Sequence, residues 1–105
     1  MKKKIKVIYT VYKIEVNGIV RYIGRTNNLH RRSLSHNNLF KKGFDKELYN
    51  KLREEGFEGK IELLPIHICG NKVESKRFEM YSILVDYFKF EGKNLWQNIP
   101  NISDR

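Results

Sequence analysis

The feature that most restricts how this chain can fold is Asn17-Gly18, set between two runs of β-branched and aromatic residues. Residues 5–14 and 19–23 read as two strands, and Asn-Gly between them is a strong hairpin signal because both residues accept positive φ. The register then decides where the tyrosines go. A two-residue turn pairs Val16 with Ile19 and sends Tyr12 and Tyr22 to opposite faces of the sheet. A three-residue loop, with Gly18 in the left-handed region as a bulge, pairs Glu15 with Ile19 and sets Tyr12 directly across from Tyr22. The second register is the one expected, with Gly18 at positive φ and both phenols on one face. Packing alone would use the same arrangement, as a cross-strand aromatic pair.

The 105 residues suffice for one domain around a single core. Lys and Arg outnumber Asp and Glu by 21 to 12, a formal net charge of +9. The excess is local: residues 16–44 contain no acid, yet hold Arg21, Arg25, Arg31, Arg32, Lys41 and Lys42. Such a block suits a polyanion, most simply nucleic acid, because phosphate contacts release condensed counterions. A membrane surface suits it less, since these residues do not lie along one amphipathic helix. The single cysteine, Cys69, leaves no internal disulfide and no multi-cysteine metal site, which fits an intracellular, cytoplasmic setting. The first residues, MKKKIKVIYTVYKI, start basic but lack the uninterrupted apolar region of a signal peptide, and no segment has the apolar length of a membrane span.

Beyond the hairpin, TNNLHRRSLSH predicts a helix over residues 28–36 capped by Thr26 or Asn27, followed by a loop at residues 41–44. Asp45 is placed to cap a second helix ending at Glu55 and Gly56, with Phe44 and Tyr49 as a hydrophobic staple. KIELLPIHI, residues 60–68, reads as a third strand, and Pro65 requires an edge position or a bulge. The longest helix is expected over residues 72–88, and Trp96 anchors an irregular tail. The fold class expected is α+β: a small three-stranded antiparallel sheet flanked by about three helices.

Three residues outside the hairpin carry possible chemistry. Glu79 shares a helical stripe with Ser75, Ser82 and Asp86, a polar strip able to present a carboxylate to a hard cation such as magnesium, or simply to solvent. Arg32 and His36, four apart, share one helix face, where one can neutralise a phosphate and the other can move a proton near neutral pH. His30 and His67 have no partner at metal-ligand spacing and receive no role.

TVYKI ten residues before YIGRT, followed by LHRRSLSH, resembles the opening of the GIY-YIG nuclease superfamily. KELYNKLREEGFEGKIELLPI is similar to that family's second helix and third strand, and ESKRFEMYSILVDYF to the helix bearing its metal-binding glutamate. The resemblance covers nearly the whole chain in order, with one departure: Thr10 stands where the motif has glycine. It implies a stand-alone catalytic domain that hydrolyses phosphodiester bonds in DNA with one Mg²⁺, for which Mn²⁺ can substitute. It places the motif tyrosines at Tyr12 and Tyr22, the arginine at Arg32, a further site residue at His36 and the metal ligand at Glu79. It also implies a basic contact at Arg25 and a supporting asparagine at Asn98 or Asn94, which join Arg31, Lys41 and Lys42 of the basic block as the expected DNA contacts. In this scheme Arg32 neutralises charge on the phosphate, and Tyr12, helped by nearby cations, is the general base, with Tyr22 and His36 as alternatives. No separate DNA-reading segment fits in this length. Specificity is then left to residues 37–44, the tail, a homodimer or a partner protein. The competing expectation is a non-catalytic nucleic-acid-binding module on the same fold.

Overall fold

The computed structural model describes residues 7–97, in the order β1 (Tyr9–Val16), β2 (Ile19–Thr26), α1 (Leu29–Lys41), α2 (Glu47–Glu54), β3 (Leu64–Cys69) and α3 (Lys72–Phe90). It is an α+β fold whose three-stranded antiparallel sheet runs β2-β1-β3. Among the described residues, no helix is long and apolar enough to cross a membrane.

The hairpin departs from its expected register at the turn. Val16 pairs with Ile19 around a two-residue turn in which Asn17 (φ 53°) and Gly18 (φ 77°) are both left-handed, the geometry that matches strand twist. The extra residue sits further along β2. Glu15 pairs with Val20 and Ile14 with Tyr22, so the register shifts and Arg21 has no partner on β1. Tyr12 therefore lies across from Gly24, not Tyr22. A bulge anywhere between the turn and the tyrosines changes parity by one residue, so the two phenols still share a face.

Arg21, left without a partner on β1, is held by the tail instead. Its carbonyl accepts the Trp96 N–H, its Nη1 donates to the Asn94 carbonyl at 3.1 Å, and its guanidinium lies 4.4 Å from the Trp96 ring centre. Gln97 continues the contact, accepting from the Ile23 N–H at 2.6 Å and donating to its carbonyl at 2.9 Å. The tail thereby satisfies the outer edge of β2, which would otherwise present unpaired backbone groups.

Alternation along β1 divides the core between the two faces of the sheet. Tyr12, Ile14 and Val16 meet Leu48, Tyr49 and Leu52 of α2, with Leu29, Leu39 and Phe40 of α1 at the margin. Val11 and Ile23 meet Ile83 and Phe78 of α3, with Leu95 of the tail. β3 is an edge strand, and its pairing with β1 shifts between Val11 and Tyr12, so Pro65 has both the edge and the irregularity it requires.

Helix boundaries differ at the ends. α1 is capped by Asn28, not Thr26 or Asn27, with its side chain accepting the Arg31 N–H, and it continues past its expected end at His36 to Lys41. α2 has Lys46 at its N-cap; Asp45 instead accepts from Asn50 Nδ2 at 2.7 Å. The Phe44–Tyr49 contact is present, with ring centres 6.5 Å apart. β3 starts later than expected and α3 ends two residues beyond its expected bound, at Phe90.

Candidate active site

Tyr12 is the centre of the arrangement, 1% exposed on the middle strand. Its hydroxyl lies 3.0 Å from His36 Nε2, and His36 Nδ1 lies 2.7 Å from the Tyr49 hydroxyl. The neutral imidazole has one donor and one acceptor nitrogen, so the three side chains form a continuous hydrogen-bonded chain in either tautomer. Tyr22 closes it laterally, its ring stacked 6.2 Å from Tyr12 and set edge-on 5.7 Å from His36. Lys46 lies over Tyr22 at 5.0 Å and over Tyr49 at 5.5 Å.

Gly24 makes room for this geometry. A Cβ there would fall 2.6 Å from Tyr12 Oη and 2.7 Å from Cζ, so the phenol occupies the space a side chain would fill. Gly24→Ala is expected to push the ring away from His36 and to lower unfolding stability by about 1–3 kcal/mol. Urea unfolding tests it: an unchanged midpoint would show that the ring is not held there.

Burial, reinforced by Tyr22, drives the Tyr12 hydroxyl well above its ordinary pKa, against the opposing pull of Arg32; Glu79 raises it further. The expectation that neighbouring cations favour a phenolate is therefore not met by the protein groups alone. His36, 2% exposed, is pushed down to about 4, first by burial and then by Lys46 and Arg32. The unfolded chain takes up a proton near the ordinary histidine value of about 6.5 while the folded one refuses it, so this contribution is complete above that pH and is lost as pH falls toward 4. Its size is on the order of 3 kcal/mol. Burial raises the Glu79 and Asp86 carboxyls, which act with the opposite sign, so the effect is read as the difference between wild type and His36→Gln. Unfolding midpoints with the same pH dependence in both would contradict a neutral buried His36.

On the other side of the sheet, Arg25 Nε and Glu79 Oε1 of α3 pair at 3.3 Å, with side chains 25% and 28% exposed. That distance is long for a charge-assisted hydrogen bond, so the pair can be opened by a competing ion. The polar strip expected around Glu79 is interrupted, because Ser75 is fully buried with its hydroxyl on the Lys72 carbonyl. Ser82 and Asp86 line a different cleft, of about 580 Å³, with Lys13, Tyr81 and Val85.

The residues expected at the site thus divide. Tyr12, Tyr22 and His36 are in contact, whereas Arg32 is exposed on α1 and Glu79 is on the α3 side of the sheet. Arg25 is joined to Glu79. Arg31, Lys41 and Lys42 are exposed on α1 and its C-cap, and nine residues separate Lys41 from Arg32, roughly 14 Å along the helix. Asn94 is buried, its Nδ2 donating to the Val20 carbonyl at 3.2 Å, so it fastens the tail to β2; Asn98 lies outside the described residues. Tyr49, Lys46 and Gly24 are site residues that sequence reasoning misses. The glycine inside a strand was the available signal for close approach, whereas the Tyr49 hydroxyl left none, since its ring fits the apolar face of α2. No protein-family model, curated protein or solved structure matches the chain.

Proposed function

We propose that this protein is a metal-dependent DNA endonuclease of the GIY-YIG type. The observation that carries this reading is the buried Tyr12–His36 pair, held 3.0 Å apart with the Tyr22 ring against both. A cross-strand aromatic pair built only for packing needs no imidazole hydrogen-bonded to the phenol.

Magnesium suits Glu79, because this ion is commonly held by one or two carboxylates and keeps several waters, and a partly exposed, loosely paired carboxylate allows that. The chemistry supplied there is stabilisation of the leaving oxygen. Arg25, released from Glu79, turns to the phosphate, and Arg32 neutralises charge as it develops. With Nδ1–H donating to Tyr49, His36 Nε2 accepts a hydrogen bond from the Tyr12 hydroxyl and fixes the orientation of its oxygen. Burial keeps both Tyr12 and His36 uncharged, so a bound cation would have to supply the charge that lets the phenol take a proton from water. A shallow cleft of about 280 Å³ beside Tyr22, lined by Lys46, Trp96 and Gln97 among others, provides room for a neighbouring nucleotide.

One observation favours a second reading, a binding module without turnover: Arg25 occupies the carboxylate that a metal would need. Incubation with supercoiled plasmid separates the two. The nuclease reading expects nicked or linear product with Mg²⁺ or Mn²⁺ and none with EDTA; retention of plasmid without cleavage under every metal condition replaces it with the module. Both readings expect duplex binding that weakens steeply with salt. If the exposed basic residues on α1 and its C-cap contribute about four phosphate contacts, affinity falls more than about a hundredfold between 50 and 200 mM salt. A flat salt titration would remove nucleic acid as the partner.

A further inference from the structure

A second group of chemistry-bearing side chains lies where β3 meets α3. His67 and Cys69, two apart on β3, point to the same face of the sheet, opposite Val11 and Tyr9 of β1, and this is the face that α3 covers. Glu74, in the first turn of α3, comes down onto them. One ligand atom from each of His67, Cys69 and Glu74 lies within 4.8 Å of the other two. We propose that His67, Cys69 and Glu74 form a zinc site that ties the end of β3 to the start of α3, separate from the carboxylate at Glu79.

The donor set selects the metal. Thiolate, imidazole and carboxylate are zinc's ordinary ligands, and a hard ion such as magnesium would not take the sulfur. In a tetrahedral zinc site, donors at bond lengths of 2.0–2.3 Å stand roughly 3.5 Å apart. The three donors, all within 4.8 Å of one another, must therefore draw closer by side-chain adjustment for the ion to be held. Two of the ligands are already oriented. The His67 ring is stacked on Phe78 with centres 3.7 Å apart and planes at 25°, and the Glu74 backbone is set by its N–H donating to Asn71 Oδ1 at 2.7 Å. Cys69 is 1% exposed, and burial followed by the Glu74 charge keeps its thiol protonated. Binding is then Cys–SH + Zn²⁺ → Cys–S⁻–Zn²⁺ + H⁺, the proton passing to solvent. The positive end of α3 opposes a cation here, and the Glu74 carboxylate offsets it. Three protein ligands leave a fourth position for water.

Cobalt(II) substitution of the full chain reads the site directly. Wild type is expected to bind one equivalent of Co²⁺ with near-ultraviolet sulfur-to-cobalt charge transfer, to lose that band when Zn²⁺ is added, and to release one proton per Zn²⁺ bound. Cys69→Ala is expected to abolish the band. Glu74→Gln, a change on the solvent side that leaves the core intact, is expected to weaken Zn²⁺ binding by at least about tenfold. Glu79→Ala is expected to leave it unchanged. The site is overturned if wild type shows no charge-transfer band, if the band survives in Cys69→Ala, or if Glu79→Ala removes it while Glu74→Gln does not.

Discussion

Glu79→Ala is expected to abolish Mg²⁺-dependent plasmid cleavage, a loss of at least about a thousandfold, with little change in folding stability or DNA affinity. Two features set this combination. The carboxylate is half-buried and its ion pair with Arg25 is 3.3 Å long, so removing it leaves no void in a packed core. Burial also raises the Glu79 carboxyl, against the opposing pull of Arg25, so ionisation there works against stability. Arg25, no longer paired, remains available to phosphate, so affinity should hold or rise slightly. Arg32→Ala makes the contrast: its charge meets the phosphate before reaction, and cleavage and binding should fall together. A Glu79→Ala protein that cleaves at the wild-type rate with Mg²⁺ would show that the metal is held elsewhere or that none is needed.

Tyr12→Phe is expected to reduce cleavage by about 10²–10⁴-fold, the contribution typical of general acid–base catalysis. It should also lower stability by about 1–3 kcal/mol, because His36 Nε2 loses its partner inside the core. The two effects have different readouts, one in single-turnover rates and one in denaturant midpoints. Tyr22→Phe is the comparison, since it keeps the ring that packs against Tyr12 and His36. Should Tyr12→Phe lose stability but cleave normally, Tyr12 is a structural partner of His36, and the base must be sought at Tyr22 or His36 itself.

Much of the architecture is encoded locally. Asn17-Gly18 specifies a tight hairpin, the apolar spacing around Leu48 and Leu52 makes an amphipathic helix, and Pro65 assigns β3 to an edge. That Tyr12 and Tyr22 share a face also follows from alternation once one extra residue is allowed on the way to them. Where that residue goes is not local. It goes to Arg21, because an unpaired residue there can stack on Trp96 and receive the tail, a contact with a residue far along the chain. Placing it there sets Tyr12 against Gly24, the one strand position with no side chain to obstruct the phenol.

The set of elements, the α+β class, the basic surface around α1 and the residue types from which a site could be assembled are all legible in the chain read as a string. Turn chemistry and side-chain periodicity act over a few residues and need no knowledge of the rest of the molecule. Which groups meet is a different matter, and it took the folded molecule to join Tyr49 to His36, Arg25 to Glu79, and Glu74 to His67 and Cys69. Protonation belongs with those contacts. Desolvation depends on what packs over a group, and it is burial between the sheet, α1 and α2 that holds His36 neutral and Tyr12 un-ionised.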